Sequence, residues 1–88
     1  MISSDKYEPI LCSINADVPI NANGVAGFIC TAAGTISVYD SENVLLLDQF
    51  PMVAGGIYGI PIDTSAGNKI TGGRVLLAAG ARGTLLVQ

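Results

Sequence analysis

The chain has 88 residues, half of them hydrophobic and 12% charged, with a net charge of −3 and no histidine. That length holds one domain rather than two. The missing imidazole removes the commonest general base and the commonest zinc ligand. The basic residues Lys6, Lys69, Arg74 and Arg82 are scattered, so no patch exists for phosphates and nucleic acid is excluded as a partner. The apolar run of residues 75–81 ends at Arg82 after seven residues. A membrane-spanning helix needs about twenty. Asp5 and Lys6 stand where a signal peptide would carry its apolar region, so the expectation is a protein made in the cytoplasm.

A globular monomer of this mass exposes about 4,900 Å² and buries only about 60–65% of its unfolded surface. About a quarter of residues are charged in ordinary soluble domains, twice the share found here. Two readings account for this. Small polar residues and glycine cover the remaining surface, or part of the apolar surface is buried against other chains. The balance favours assembly.

In chain order, residues 1–6 (Met-Ile-Ser-Ser-Asp-Lys) lack periodicity and read as a flexible arm on a single β domain spanning residues 7–88. Residues 7–13 form a strand that Pro9 confines to a sheet edge or to its first positions. Residues 14–24 are rich in Asn, Asp and Pro, with at most a short strand at 18–20. Residues 25–31 form the next strand, and residues 32–34 turn into 35–39. There Thr35, Ser37 and Tyr39 alternate with Ile36 and Val38, the period of a strand.

Residues 40–43 (Asp-Ser-Glu-Asn) suit a hairpin loop leading into residues 44–48, where alternation fails. Val44 and Leu46 point one way, Leu45 and Leu47 the other, and both sets are apolar. Such a strand cannot present one face to water, so a second sheet or subunit must cover it. Residues 50–56 read as a wide connection. Residues 57–62 read as a strand in which Gly59 and Pro61 mark a bulge, an end or an edge. Residues 69–71 read as a short strand or bridge. Residues 74–79 and 84–87 read as a closing hairpin, with Leu76 and Leu86 on outward faces.

About seven or eight short strands at roughly ten-residue spacing indicate an all-β fold. The architecture is an antiparallel β-sandwich or small barrel, jelly-roll-like. Cys12 and Cys30 sit inside apolar runs and read as small buried hydrophobes with free thiols rather than a disulfide.

No constellation for catalysis emerges. Asp40, Glu42 and Asp48 flank a hairpin, where solvated charge is the ordinary role. Gly55, Gly56 and Gly59 lack the following lysine and helix of a phosphate loop. Residues 15–24 miss the calcium-loop spacing. The expectation is a non-enzymatic protein with no cofactor and no metal.

The strand ending in Val38, Tyr39 and Asp40, the segment from Ala54 to Pro61, and the closing Gly-Thr-Leu-Leu-Val of residues 83–87 resemble small accessory structural proteins of tailed-bacteriophage virions. The resemblance covers about the last fifty-five residues and rests on turn pattern. It implies a capsid decoration or cement protein, or a related head or tail component, that sits on the virion surface and contacts the major capsid protein or another virion protein. A small carbohydrate- or receptor-recognising β-sandwich of a phage fibre is the alternative.

The doubly apolar segments predict a homo-oligomer, a trimer, joined through Leu45, Leu47, Leu76 and Leu86. A one-residue register error would exchange this set for its neighbours. The arm residues Ile2, Ser3, Ser4, Asp5 and Lys6 are the candidate partner-binding segment, with an ordinary frayed terminus as the other reading.

Overall fold

The computed structural model describes residues 7–64 and 67–88, so the expectations for the arm, residues 1–6, lie outside the described residues. The described chain forms eight strands: β1 (Glu8–Cys12), β2 (Asp17–Pro19), β3 (Gly24–Ala32), β4 (Gly34–Tyr39), β5 (Leu45–Met52), β6 (Ile57–Asp63), β7 (Arg74–Ala78) and β8 (Arg82–Val87). They build a front sheet of order β1-β8-β3-β6 and a back sheet of order β2-β7-β4-β5. All pairings are antiparallel. Consecutive strands change sheet at every connection except β4 to β5. This order, two interleaved Greek keys in two sheets of four, is the jelly roll. The exposed area, 5015 Å², matches the roughly 4,900 Å² expected of a compact monomer. The apolar excess therefore does not come from an open fold.

Alternation along the strands makes the core. Val25, Phe28, Cys30, Leu85 and Val87 of the front sheet face Ile36, Val38, Val75 and Leu77 of the back sheet, all buried. Ile20 and Ile70, on connecting segments, close one end, and Ala81 lies buried at the corner between β7 and β8. No buried side-chain nitrogen or oxygen among the described residues lacks a hydrogen-bond partner, which is what a core this small requires.

The structure corrects four local expectations. Residues 74–87 are not a hairpin: β7 belongs to the back sheet and β8 to the front. Ala79 (φ 57°) and Gly80 (φ 89°) adopt left-handed conformations and carry the chain around the corner. There the Gly80 N–H donates to Asn15 Oδ1 (2.8 Å) and the Asn15 N–H to the Ala81 carbonyl (3.1 Å). The β1–β2 and β7–β8 corners are thereby tied together, and their strands pair on both sides of the bend.

The remaining three corrections concern the middle of the chain. The wide connection expected at residues 50–56 shrinks, because β5 continues through Pro51 to Met52 at the edge of its sheet, where a missing N–H costs nothing. Residues 69–71 form no strand; the Lys69 carbonyl instead accepts from the Ser41 N–H (2.8 Å). Finally, the greasy run 44–48 is resolved by bulges. Register shifts on both sides of Val38 give β5 extra residues, and Gln49 turns to φ 45°. Its N–H leaves the ladder and donates to Ser37 Oγ (2.9 Å). Leu46 and Leu47 consequently both pack on the core, while Val44 and Leu45 stay exposed, Leu45 beside Tyr39. The bulges thus turn two of the four apolar residues towards the opposite sheet, one of the two coverings expected.

Cys12 and Cys30 are free and buried. Both lie opposite Gly83, one on each side of β8. Two strand spacings, about 9.5 Å, separate their backbones, beyond the roughly 7 Å that a disulfide can bridge. Both thiols are expected to react slowly with a thiol reagent in the native protein and rapidly once it is denatured. Absence of titratable thiol in unreduced, denatured protein would contradict this. Burial raises the Cys12 thiol above its ordinary value of 9.0, partly offset by a backbone hydrogen bond from Leu85. The sign follows directly. Above that ordinary value the unfolded chain ionises while the folded one stays protonated, so stability falls as pH rises through the alkaline range. A Cys12→Ala variant should show a shallower alkaline loss in denaturant titrations.

Candidate interaction surface

Outward positions of the front sheet line up across all four strands. One row runs Leu11–Thr84–Ile29–Ile57 and the next Pro9–Leu86–Gly27–Gly59, each neighbour being a register partner. Leu11 is 88% exposed, Ile57 77% and Ile29 37%. Val53, 65% exposed at the β5–β6 corner, extends the apolar area beyond Ile57.

The second row is low on its β3–β6 half, because Gly27 and Gly59 present no side chain. A Cβ at Gly59 would meet nothing within 4 Å, whereas one at Gly27 would sit 2.7 Å from the Tyr58 carbonyl. The hollow at Gly59 opens around the sheet edge into an apolar cleft of about 230 Å³ lined by Leu47, Phe50, Ile60, Pro61 and Ile62. Phe50 and Tyr58 meet edge-to-face there, 5.5 Å between ring centres. Among the described residues the register puts two charged residues on this face, Asp63 at the end of β6 and, at the start of β8, Arg82. Arg82 lies at the corner margin, beside Thr31, whose hydroxyl donates to the Arg82 carbonyl (3.1 Å).

The outer face of the back sheet is of the opposite character. Arg74 pairs with Asp17 (2.9 Å), its guanidinium lies 4.5 Å above the Tyr39 ring, and Nη2 reaches Asn43 Oδ1 (3.4 Å). A polar depression of about 380 Å³ is lined by Asp17, Asp40, Ser41, Asn43 and Arg74. Its groups are mostly engaged with one another. Asp40 Oδ1 accepts from the backbone N–H groups of Glu42 (2.9 Å) and Val44 (2.8 Å), which shapes the β4–β5 hairpin. Lys69 meets Glu42 at 2.7 Å, but both are well exposed, and such pairs contribute at most about 1 kcal/mol. Among the described residues no group of three or more His, Cys, Asp or Glu side chains is placed to hold a metal ion.

The four leucines singled out from the sequence do not form one surface. Leu76 and Leu86 do point outward, yet from opposite sheets of the sandwich. Leu45 shares the back face with Leu76, and Leu47 packs on the core. Leu86 alone joins the apolar front face. Leu11, Ile29 and Ile57 were missed, although residues 9–12, 25–30 and 57–62 are apolar or glycine at both parities, the same signal that drew attention to residues 44–48.

No family model matches this chain, and no curated protein or solved structure matches it either.

Proposed function

We propose that this protein is a non-enzymatic structural component of a virion, a decoration or cement protein that self-associates and stabilises a capsid by binding across the seams between its subunits. The observation that carries this reading is the front-sheet outer face, which spans four strands with its charged residues, Arg82 and Asp63, at opposite margins. Exposed contiguous apolar area of this kind marks interaction surfaces. The jelly roll recurs in viral capsid domains and in lectins, which supports the reading by analogy of fold alone. A cement protein performs no chemical step. It buries modest area per copy, and many linked copies multiply the effect.

The fibre-module alternative draws on the polar depression of the back sheet. Sugar recognition uses an aromatic face over a polar groove, and the Tyr39 ring is already covered by Arg74. The shell-binding reading is therefore preferred.

The test is co-sedimentation of the purified protein with capsids assembled from the major capsid protein of the same virus, followed by heating. The expected result is saturable binding and a higher capsid melting temperature. No binding, at concentrations well above those of the capsid subunits, would overturn the proposal.

A further inference from the structure

The front face is low where it could receive its own high part. Ile57 and Gly59 are two residues apart on β6, so an exposed ridge and an open hollow lie side by side at that edge of the sheet, and on β3 Ile29 stands beside the low but buried Gly27. We infer that the occupant of this face is a second copy of the chain, packed sheet to sheet about a twofold axis. The axis lies in the plane of the interface, parallel to the two rows and midway between them. This operation keeps each strand over its own counterpart and exchanges the rows. Ile57 then settles over the second copy's Gly59, Ile29 over its Gly27, Leu11 over its Pro9 and Thr84 over its Leu86. Such an isologous contact is self-complementary and closes at two copies. Strands of the two front sheets run near alignment, the common geometry of stacked sheets about 10 Å apart.

Charge agrees with this arrangement. The axis carries the two Arg82 side chains to opposite ends of the contact, and the two Asp63 side chains likewise, so like charges stay apart. The back face, with its Asp17–Arg74 pair and polar depression, offers nothing comparable to an apolar partner sheet.

Area sets the strength. Four strands at about 4.8 Å and two rows at about 6.8 Å cover roughly 260 Å² per copy. The pair thus buries about 520 Å² in total, well below the 1,200–2,000 Å² of stable complexes. The pairing is weak in free solution and forms where copies are concentrated. It rests on the preceding proposal only in taking this face to be buried in an assembly, and does not depend on the identity of the shell.

Sedimentation equilibrium from about 10 µM to 1 mM tests the inference. The wild-type mass should rise from the monomer's 9.0 kDa towards twice that value. Gly59→Leu adds a side chain into space that is open in the monomer and fills the hollow, so it should remain folded and monomeric throughout. Ile57→Asp, at a well-exposed position, should do the same. The exchange Ile57→Gly with Gly59→Ile moves ridge and hollow together and should restore pairing that Gly59→Leu abolishes.

A wild-type protein that stays monomeric at 1 mM would overturn the inference. So would dimers that persist in both Gly59→Leu and Ile57→Asp. A monomeric wild type that still binds capsids would sink the pairing and leave the proposed function standing; a dimer that fails to bind capsids would do the reverse.

Discussion

Phe28→Ala should leave the protein largely unfolded at 37 °C. Phe28 is fully buried in β3, a strand paired on both sides, and is the largest of the fully buried side chains. Its removal takes away the transfer energy of a whole ring and leaves a cavity that two hydrogen-bonded sheets cannot collapse into, at a cost of about 3–5 kcal/mol. A chain of this length has a total stability of roughly 4–13 kcal/mol, so the single substitution removes from about a quarter to all of it. Urea denaturation followed by circular dichroism measures the loss. Ile57→Ala provides the contrast, because an exposed outward residue should change stability by no more than about 0.5 kcal/mol. A Phe28→Ala loss below about 1 kcal/mol would contradict the packing described for the core.

Gly83→Ala should be nearly as damaging, although it adds only one carbon. The new Cβ would point inward, 2.7–2.8 Å from two atoms of the Phe28 ring and against the Ile29 carbonyl of the neighbouring strand. The ring has nowhere to go, and the carbonyl belongs to the β3–β8 ladder. Relief requires separating two central strands, so the cost should reach or exceed the 1–3 kcal/mol usual for overpacking. Gly59→Ala, two strands away on the open outer face, should be almost neutral. Equal effects at the two glycines, in the same denaturation assay, would show that the Phe28 ring does not occupy the space above Gly83.

The sequence exposed the fold class because strand signals are local. Short apolar runs, turn residues and the alternation of residues 35–39 each report on a few neighbouring positions, and all eight strands lie where such runs occur. It concealed what depends on partners distant in the chain. A corner and a hairpin use the same residues, so Ala79, Gly80 and Ala81 could not reveal that β7 and β8 part company into different sheets. The bulges of β5 depend on Ser37 offering its hydroxyl to the Gln49 N–H, an arrangement invisible in residues 44–48 alone. The candidate surface was hidden for the same reason. Leu11, Ile29 and Ile57 lie far apart in sequence, and only the register joins them into one row.

The connection between β4 and β5 is the single one that stays within a sheet, and this sets the order in which the chain can organise itself. Its loop is held by Asp40 Oδ1 and joins neighbours in sequence, whereas Glu8 must find Val87 from the far end of the domain. Closing long loops before their contacts reward the ordering makes such topologies slow, folding over milliseconds to seconds. The β4–β5 hairpin is the cheapest nucleus. From it β3 and β6 can zip on, and β7 with β8 and then β1 with β2 follow. Asp40→Ala should accordingly slow refolding with little change in unfolding rate, whereas Ile10→Ala in β1 should mainly speed unfolding. Stopped-flow chevrons of the two variants would show the chain assembling outwards from its middle, with the strand nearest the start of the domain among the last to dock.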